Sequence, residues 1–103
     1  MSVLMEFSMF PLEGVGSKSA YVAKILSLIQ GSGYTYKLTP MSTIVETDTM
    51  VESLKLLEYA YAQLEECERV YVCVKFDIRL GRVDGMHQKI ASLKAKLDTP
   101  IQT

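Results

Sequence analysis

The sequence predicts an α+β fold in which two β-α-β units build one four-stranded antiparallel sheet, with two helices covering one face. Three observations carry this. Four segments alternate apolar and polar residues with a period of two, and two longer segments repeat apolar residues at helical spacing. They follow one another as strand, helix, strand, strand, helix, strand. A chain of 103 residues supports one hydrophobic core, so a single domain over 1–103 is expected.

The first strand is Val3 to Phe10, with Met5, Phe7 and Met9 on one face and Leu4, Glu6, Ser8 and Phe10 on the other. Pro11 ends its ladder because it has no N–H to donate. Glu13 to Lys18 reads as a loop, with Ser17 or Ser19 placed to cap the first helix. Tyr21, Val22, Ile25, Leu26, Leu28 and Ile29 recur at helical spacing until Gly31-Ser32-Gly33 stops the run. Tyr34 to Thr39 and Ser42 to Thr47 form a hairpin about Pro40-Met41. Thr49, followed three residues later by Glu52, is a capping-box pattern, with Asp48 a second candidate cap. The helix it opens carries Met50, Leu54, Leu57, Tyr61 and Leu64 as its expected buried stripe. In the last strand Val70, Val72, Val74, Phe76 and Ile78 face one way, and Tyr71, Cys73, Lys75, Asp77 and Arg79 the other.

Right-handed crossovers place both helices on one face and make the first and third strands central, the ferredoxin-like βαββαβ sandwich. A short C-terminal helix is expected over residues 86–97, where Met86, Ile90, Leu93 and Leu97 share a stripe. With one sheet face covered, this helix must use the open face, an edge or another subunit. The open face mixes Leu4, Phe10, Ile44, Tyr71 and Cys73 with Glu6, Ser8, Lys37, Glu46, Lys75 and Asp77. That is too apolar for solvent and too charged for a core. A symmetric interface burying paired charges is therefore expected, and with it a homo-oligomer.

Bulk properties exclude several functions. Eleven basic and twelve acidic residues leave a formal charge of −1, without the basic surplus that displaces counterions from nucleic acid. No apolar run approaches the roughly 18–20 residues that span a bilayer, so no membrane partner is expected. Glu6 interrupts any apolar start of the secretory kind, which makes a cytoplasmic location the expectation. Cys67 and Cys73 match no metal-ligand spacing and no disulfide framework, and Cys73 is expected as a small buried or interface residue. One histidine and no cysteine pair give little from which to build a metal site; no metal or cofactor is expected.

Four groupings could carry chemistry. Gly14-Val15-Gly16-Ser17-Lys18-Ser19 has the glycines of an anion-binding helix start, but Ser17 stands where a nucleotide loop needs glycine before the lysine. A capped loop is the simpler reading, and weak anion contact the other. His87 reads as a solvated or interface residue. Glu6, Glu46, Lys75, Asp77 and Arg79 share one sheet face and could do acid–base work, although ion pairing across an interface needs only the same residues and is favoured. Finally, the loop from Pro11 to Ser19 and the turn from Thr39 to Ser42 lie at the same end of the sheet. Between them Met9, Tyr21, Met41 and Thr43, with Tyr36 a further candidate, offer thioether and aromatic walls and hydroxyls suited to a flat heterocycle. A packed core end would use the same residues and is the safer reading of spacing alone.

Phe10-Pro11-Leu12, Ser19-Ala20-Tyr21-Val22, the run from Tyr36 to Glu46, Arg69-Val70, the run from Lys75 to Arg79 and Lys89-Ile90-Ala91-Ser92 together resemble the small thiamine-binding protein family. The resemblance covers nearly the whole chain in order, and no single motif in it is diagnostic. It implies a ferredoxin-like fold, dimers and commonly tetramers formed through sheets and terminal helices, and a pocket between helices and sheet. The implied ligand is thiamine or its hydroxymethylpyrimidine moiety, bound for sensing, carriage or salvage without catalysis. On that basis the expected ligand-binding residues are Met9, Ser17, Ser19, Tyr21, Thr39, Met41, Ser42 and Thr43. The family usually shows Met-Gly-Thr where this chain has Met41-Ser42-Thr43, which puts a side chain at the pocket mouth. Glu46 is a candidate carboxylate for the aminopyrimidine, but strand parity points it to the open face. Two alternatives come from other classes: a ligand-free structural or regulatory module, and an acylphosphatase-like hydrolase. The hydrolase is disfavoured because the loop after the first strand offers Lys18 and no arginine to hold a phosphate.

Overall fold

The computed structural model describes residues 1–12 and 18–103. Its elements are β1 (Ser2–Pro11), α1 (Lys18–Ser32), β2 (Thr35–Leu38), β3 (Thr43–Thr47), α2 (Met50–Ala62), β4 (Val70–Arg79) and α3 (Gly85–Lys94). The strands form one antiparallel sheet in the order β2-β3-β1-β4, so the first and third strands are central as expected. The fold is ferredoxin-like. β1 pairs with β4 along its whole length, from Ser2↔Arg79 to Pro11↔Val70, but with β3 only from Val3↔Thr47 to Phe7↔Thr43.

Strand alternation decides the core. Val3, Met5, Phe7 and Met9 of β1 and Val45 of β3 are buried on the helix face, against Ile25 and Ile29 of α1, Leu56 and Ala60 of α2, and Leu64 beyond it. Burying each large apolar side chain contributes about 1.5–3 kcal/mol, which is what holds the two layers together. Gly33, at φ +83°, ends α1 in a conformation that only glycine adopts without strain.

The capping box of α2 forms as the sequence predicts. The Glu52 N–H donates to Thr49 Oγ1 at 3.2 Å, and the Thr49 N–H donates back to the Glu52 carboxylate at 3.2 Å. The buried stripe matches the expected one only in part: Leu64 is buried and Leu57 packs against the core. Ser53, Leu56 and Ala60 face the sheet, while Leu54 and Tyr61 are exposed. Small residues let the helix approach closely, and Ser53 is not left unpaired. Thr47 Oγ1 donates to the Thr49 carbonyl at 2.8 Å, so the Ser53 hydroxyl must be the donor in its 2.6 Å bond to Thr47 Oγ1.

The C-terminal helix takes the open face within the same chain. α3 lies over β1 and β3, with Met86 and Ile90 toward Leu4 and Ile44, while Leu93 and Leu97 stay exposed. Cys73, expected buried or at an interface, is exposed in the chain because it sits on the open face of β4, an edge strand. No described helix is long and apolar enough to cross a membrane.

Candidate functional site

The two ends of the sheet differ in how they are finished. At one end, the hairpin closes early. Thr39-Pro40-Met41-Ser42 is a turn with proline at its favoured second position, and the Thr39 N–H donates to the Ser42 carbonyl at 2.8 Å. The Thr39 hydroxyl accepts from the N–H groups of Met41 (3.3 Å) and Ser42 (3.0 Å), folding the turn onto itself. β3 therefore stops opposite Phe7, and Ser8 to Pro11 of β1 pair with β4 alone.

A cavity of about 490 Å³ fills the vacated place beside β1. Its walls include Met9 and Ile25 from the helix side of the sheet and Ser8, Phe10 and Tyr71 from the open side. Only a hollow at a strand edge touches both faces of one strand, so the cavity is a gap in the sheet. Leu38, Thr39, Met41, Ser42 and Thr43 form the opposite wall, and Val22 and Leu26 of α1 complete it. Phe10 and Tyr71 stand side by side with ring centroids 5.7 Å apart, and the Lys18 ammonium lies 5.6 Å from the Phe10 ring. Ser42 donates to the Glu6 carboxylate at 3.1 Å, and Glu6 pairs with Lys75 at 3.0 Å. The Lys75 and Ser42 bonds hold the Glu6 pKa below its ordinary value against some desolvation. The wall is thus mostly apolar with a few hydroxyls, which suits a small flat ligand better than a charged reaction.

At the other end a buried network closes the structure. The Arg82 guanidinium donates to Ser2 Oγ (3.0 Å), the Ser2 carbonyl (3.2 Å), the Asp77 carbonyl (2.9 Å) and the Asp77 carboxylate (3.3 Å). Ser2 Oγ in turn donates to Glu46 at 2.6 Å, and Glu46 accepts the N–H groups of Gly85 (2.9 Å) and Met86 (3.0 Å). Glu46 therefore holds the start of α3, where free N–H groups favour a negative charge. Burial pushes its pKa up, but the Ser2, Met86 and Gly85 bonds and the Arg82 charge outweigh this and leave it below the ordinary value. Asp77 also meets Lys89 of α3. Its pKa is lowered, first by Lys89 and then by Arg82.

These contacts revise several expectations. Glu6, Lys75, Glu46 and Asp77 of the open face find partners inside the chain, so their pairing does not by itself call for a second subunit. Glu46 serves α3 and is absent from the cavity wall. His87 Nδ1 pairs with Asp84 at 2.8 Å on the surface. Of the expected ligand-binding residues, Met9, Thr39, Met41, Ser42 and Thr43 line the cavity together. Tyr21 does not: its hydroxyl donates to Glu66 at 3.1 Å, and Cys67 and then Glu66 keep its proton on, pushing its pKa up to about 12. Ser19 lies within the first turn of α1, off the cavity wall, and Ser17 is outside the described residues. Sequence reasoning missed Ser8 and Tyr71 as cavity residues; both were assigned correctly to the open face, but the run of β1 past the end of β3 was not foreseen. It also missed Arg82, a lone cation after Gly81 with no pattern around it.

Known proteins similar to this chain identify its family and its fold. The sequence pattern described as thiamine-binding protein matches residues 5–94. The chain belongs to the thiamine-binding protein family. A UPF0045 protein of Mycobacterium bovis is 35% identical over 104 residues, covering 97% of this chain and 99% of the relative. A solved hypothetical protein from Methanocaldococcus jannascii superposes with a TM-score of 0.77 at 27% identity, over 89% of this chain and 95% of its own. A Thermotoga maritima protein with a proposed role in thiamine biosynthesis or salvage has a TM-score of 0.77 at 18% identity, over 90% and 99% of the two chains. At that identity the likeness is one of fold.

Proposed function

We propose that this member of the thiamine-binding family is a non-catalytic binding protein, a single domain whose ligand is thiamine or its hydroxymethylpyrimidine moiety, serving sensing, carriage or salvage. The observation that carries the reading is the family match over residues 5–94. The cavity at the open end supports it. Met9 and Met41 offer thioethers to a planar aminopyrimidine, and Phe10 and Tyr71 offer ring faces to a flat cationic ligand. Ser8 and Thr43 supply hydroxyls at the wall. Among the described residues, no lining side chain is a carboxylate, histidine or cysteine poised for proton transfer or attack, which supports binding over catalysis.

We also propose a homo-oligomer. β4 is a ten-residue edge strand with Tyr71, Val72 and Ile78 exposed, and Leu93 and Leu97 of the α3 segment are exposed as well. Sedimentation as a monomer at micromolar protein would contradict this.

Titration calorimetry and thermal melts with thiamine, its phosphates and hydroxymethylpyrimidine test the binding. A ligand held at a hundred times its Kd should stabilise the fold by about 2.7 kcal/mol and raise Tm accordingly. Absence of heat and of any Tm shift at millimolar concentration for all of them would overturn the reading.

A further inference from the structure

The cavity is walled by side chains that are mostly apolar, and the main chain at its edge carries a more specific signal. The Leu12 N–H donates to the Arg69 carbonyl at 3.0 Å, which marks Leu12 and Arg69 as a hydrogen-bonded pair of the β1–β4 ladder. The register of that ladder is unbroken from Ser2↔Arg79 to Pro11↔Val70. Hydrogen-bonded and non-hydrogen-bonded pairs alternate along an antiparallel pair, so Phe10, Ser8 and Glu6 aim their N–H and C=O groups at β4. Phe7, Met9 and Pro11 aim theirs the other way.

The hairpin gives an independent check. Thr39 and Ser42 are a bonded pair, so Thr43, Val45 and Thr47 turn their backbone groups toward β1, and Thr43 stands opposite Phe7. Were β3 two residue pairs longer, Met9 would meet Met41. Instead the Met41 N–H is turned to Thr39 Oγ1, and the ladder has ended. The N–H and C=O of Met9 therefore face the cavity side of β1 with no strand partner. Pro11 fits the same geometry, since its missing N–H would point to this unpaired edge.

We infer that the main chain of Met9 reads the ligand through two hydrogen bonds, as a missing strand residue would be read. The inference rests on the proposed pyrimidine binding and specifies its chemistry. A ligand for this edge must present a donor and an acceptor side by side on a flat ring. A 4-aminopyrimidine does so: its ring nitrogen accepts from the Met9 N–H, and its exocyclic amine donates to the Met9 carbonyl. The ring then continues the sheet plane, with Met9 and Ile25 on the helix side of the gap and Phe10 and Tyr71 on the open side. Selectivity for the amine over an oxygen at that position comes from the backbone, and no substitution of a lining side chain would reproduce it.

The test uses uniformly ¹⁵N-labelled full-length protein titrated with thiamine and with its 4-oxo analogue. In the analogue the ring nitrogen carries a proton and the exocyclic oxygen accepts, so both Met9 bonds face like groups. Thiamine should shift the Met9 amide proton downfield more than any other amide of β1. The 4-oxo analogue should bind about tenfold to a hundredfold more weakly, the cost of leaving buried polar groups unpaired. If thiamine binds while the Met9 amide stays unperturbed, or both ligands bind equally, the inference fails and the binding reading stands. If neither thiamine nor hydroxymethylpyrimidine binds at all, both fail together.

Discussion

The two ends of the sheet start from the same central strand and finish in opposite ways. At the Ser2 end, Arg82, Ser2 and Glu46 link β4, β1, β3 and the start of α3 in one network. At the Phe10 end, the turn at Pro40 closes the hairpin before β3 can cover β1, and a gap of about 490 Å³ is left. The difference teaches where stability and binding reside. Polar groups at the closed end are satisfied by one another, so a ligand has nothing to gain there. The same class of group, the β-strand edge, is left unpartnered at the open end.

The hollow beneath α3, about 470 Å³, illustrates the contrast. Of its polar wall, which also holds Lys37 and Thr39, Glu6 and Lys75 neutralise each other, as do Asp77 and Lys89.

The largest expected effect breaks the closed end. Arg82→Ala removes four hydrogen bonds from an almost fully buried guanidinium and should cost about 3 kcal/mol, read as a lower urea midpoint. Gly85→Ala comes next. A Cβ at this position would sit 2.5 Å from Arg82 Nε, and the network holds that side chain in place, so about 1–3 kcal/mol should be lost. Either variant, while folded, should bind thiamine as the parent does; a loss of affinity matching the loss of stability would erase the distinction between the ends.

Acid should loosen the closed end selectively. The folded-state pKa of Glu46 is below its ordinary value, so its contribution is present above the unfolded carboxylate value and is lost as pH falls through the lowered one. Amide exchange of Gly85 and Met86 should rise across that window before the core strands respond, and Glu46→Gln should flatten the transition. The smallest effect belongs to the open end. Thr43→Val keeps the shape, removes one hydroxyl from the cavity wall, and should weaken thiamine binding about threefold to tenfold while changing stability by less than about 1 kcal/mol.

Much of this was legible in the sequence, and the lapses have physical causes. Alternation in β1 and β4 identified both sheet faces correctly because the side-chain period of a strand is two and leaves no other choice. The α2 stripe was misread at Leu54 and Tyr61 because large apolar residues were given weight, whereas Ser53 and Ala60 are buried by virtue of being small. Tyr21 was placed at the cavity from its neighbourhood, but about 100° of rotation per helical residue turns it toward Glu66 instead. Arg82 makes its bonds to Ser2, 80 positions earlier in the chain, and no local pattern announces such a pairing. The cavity itself follows from where the hairpin stops, a matter of two residue pairs.

Mapping the thiamine-induced amide shifts over the whole described sheet tests the central claim most directly. The account predicts that they cluster at Ser8 to Phe10 and at Thr39 to Thr43, with Ser2, Glu46, Gly85 and Met86 unmoved. Shifts concentrated at Glu46, Gly85 and Met86, with the Phe10 end silent, would contradict it.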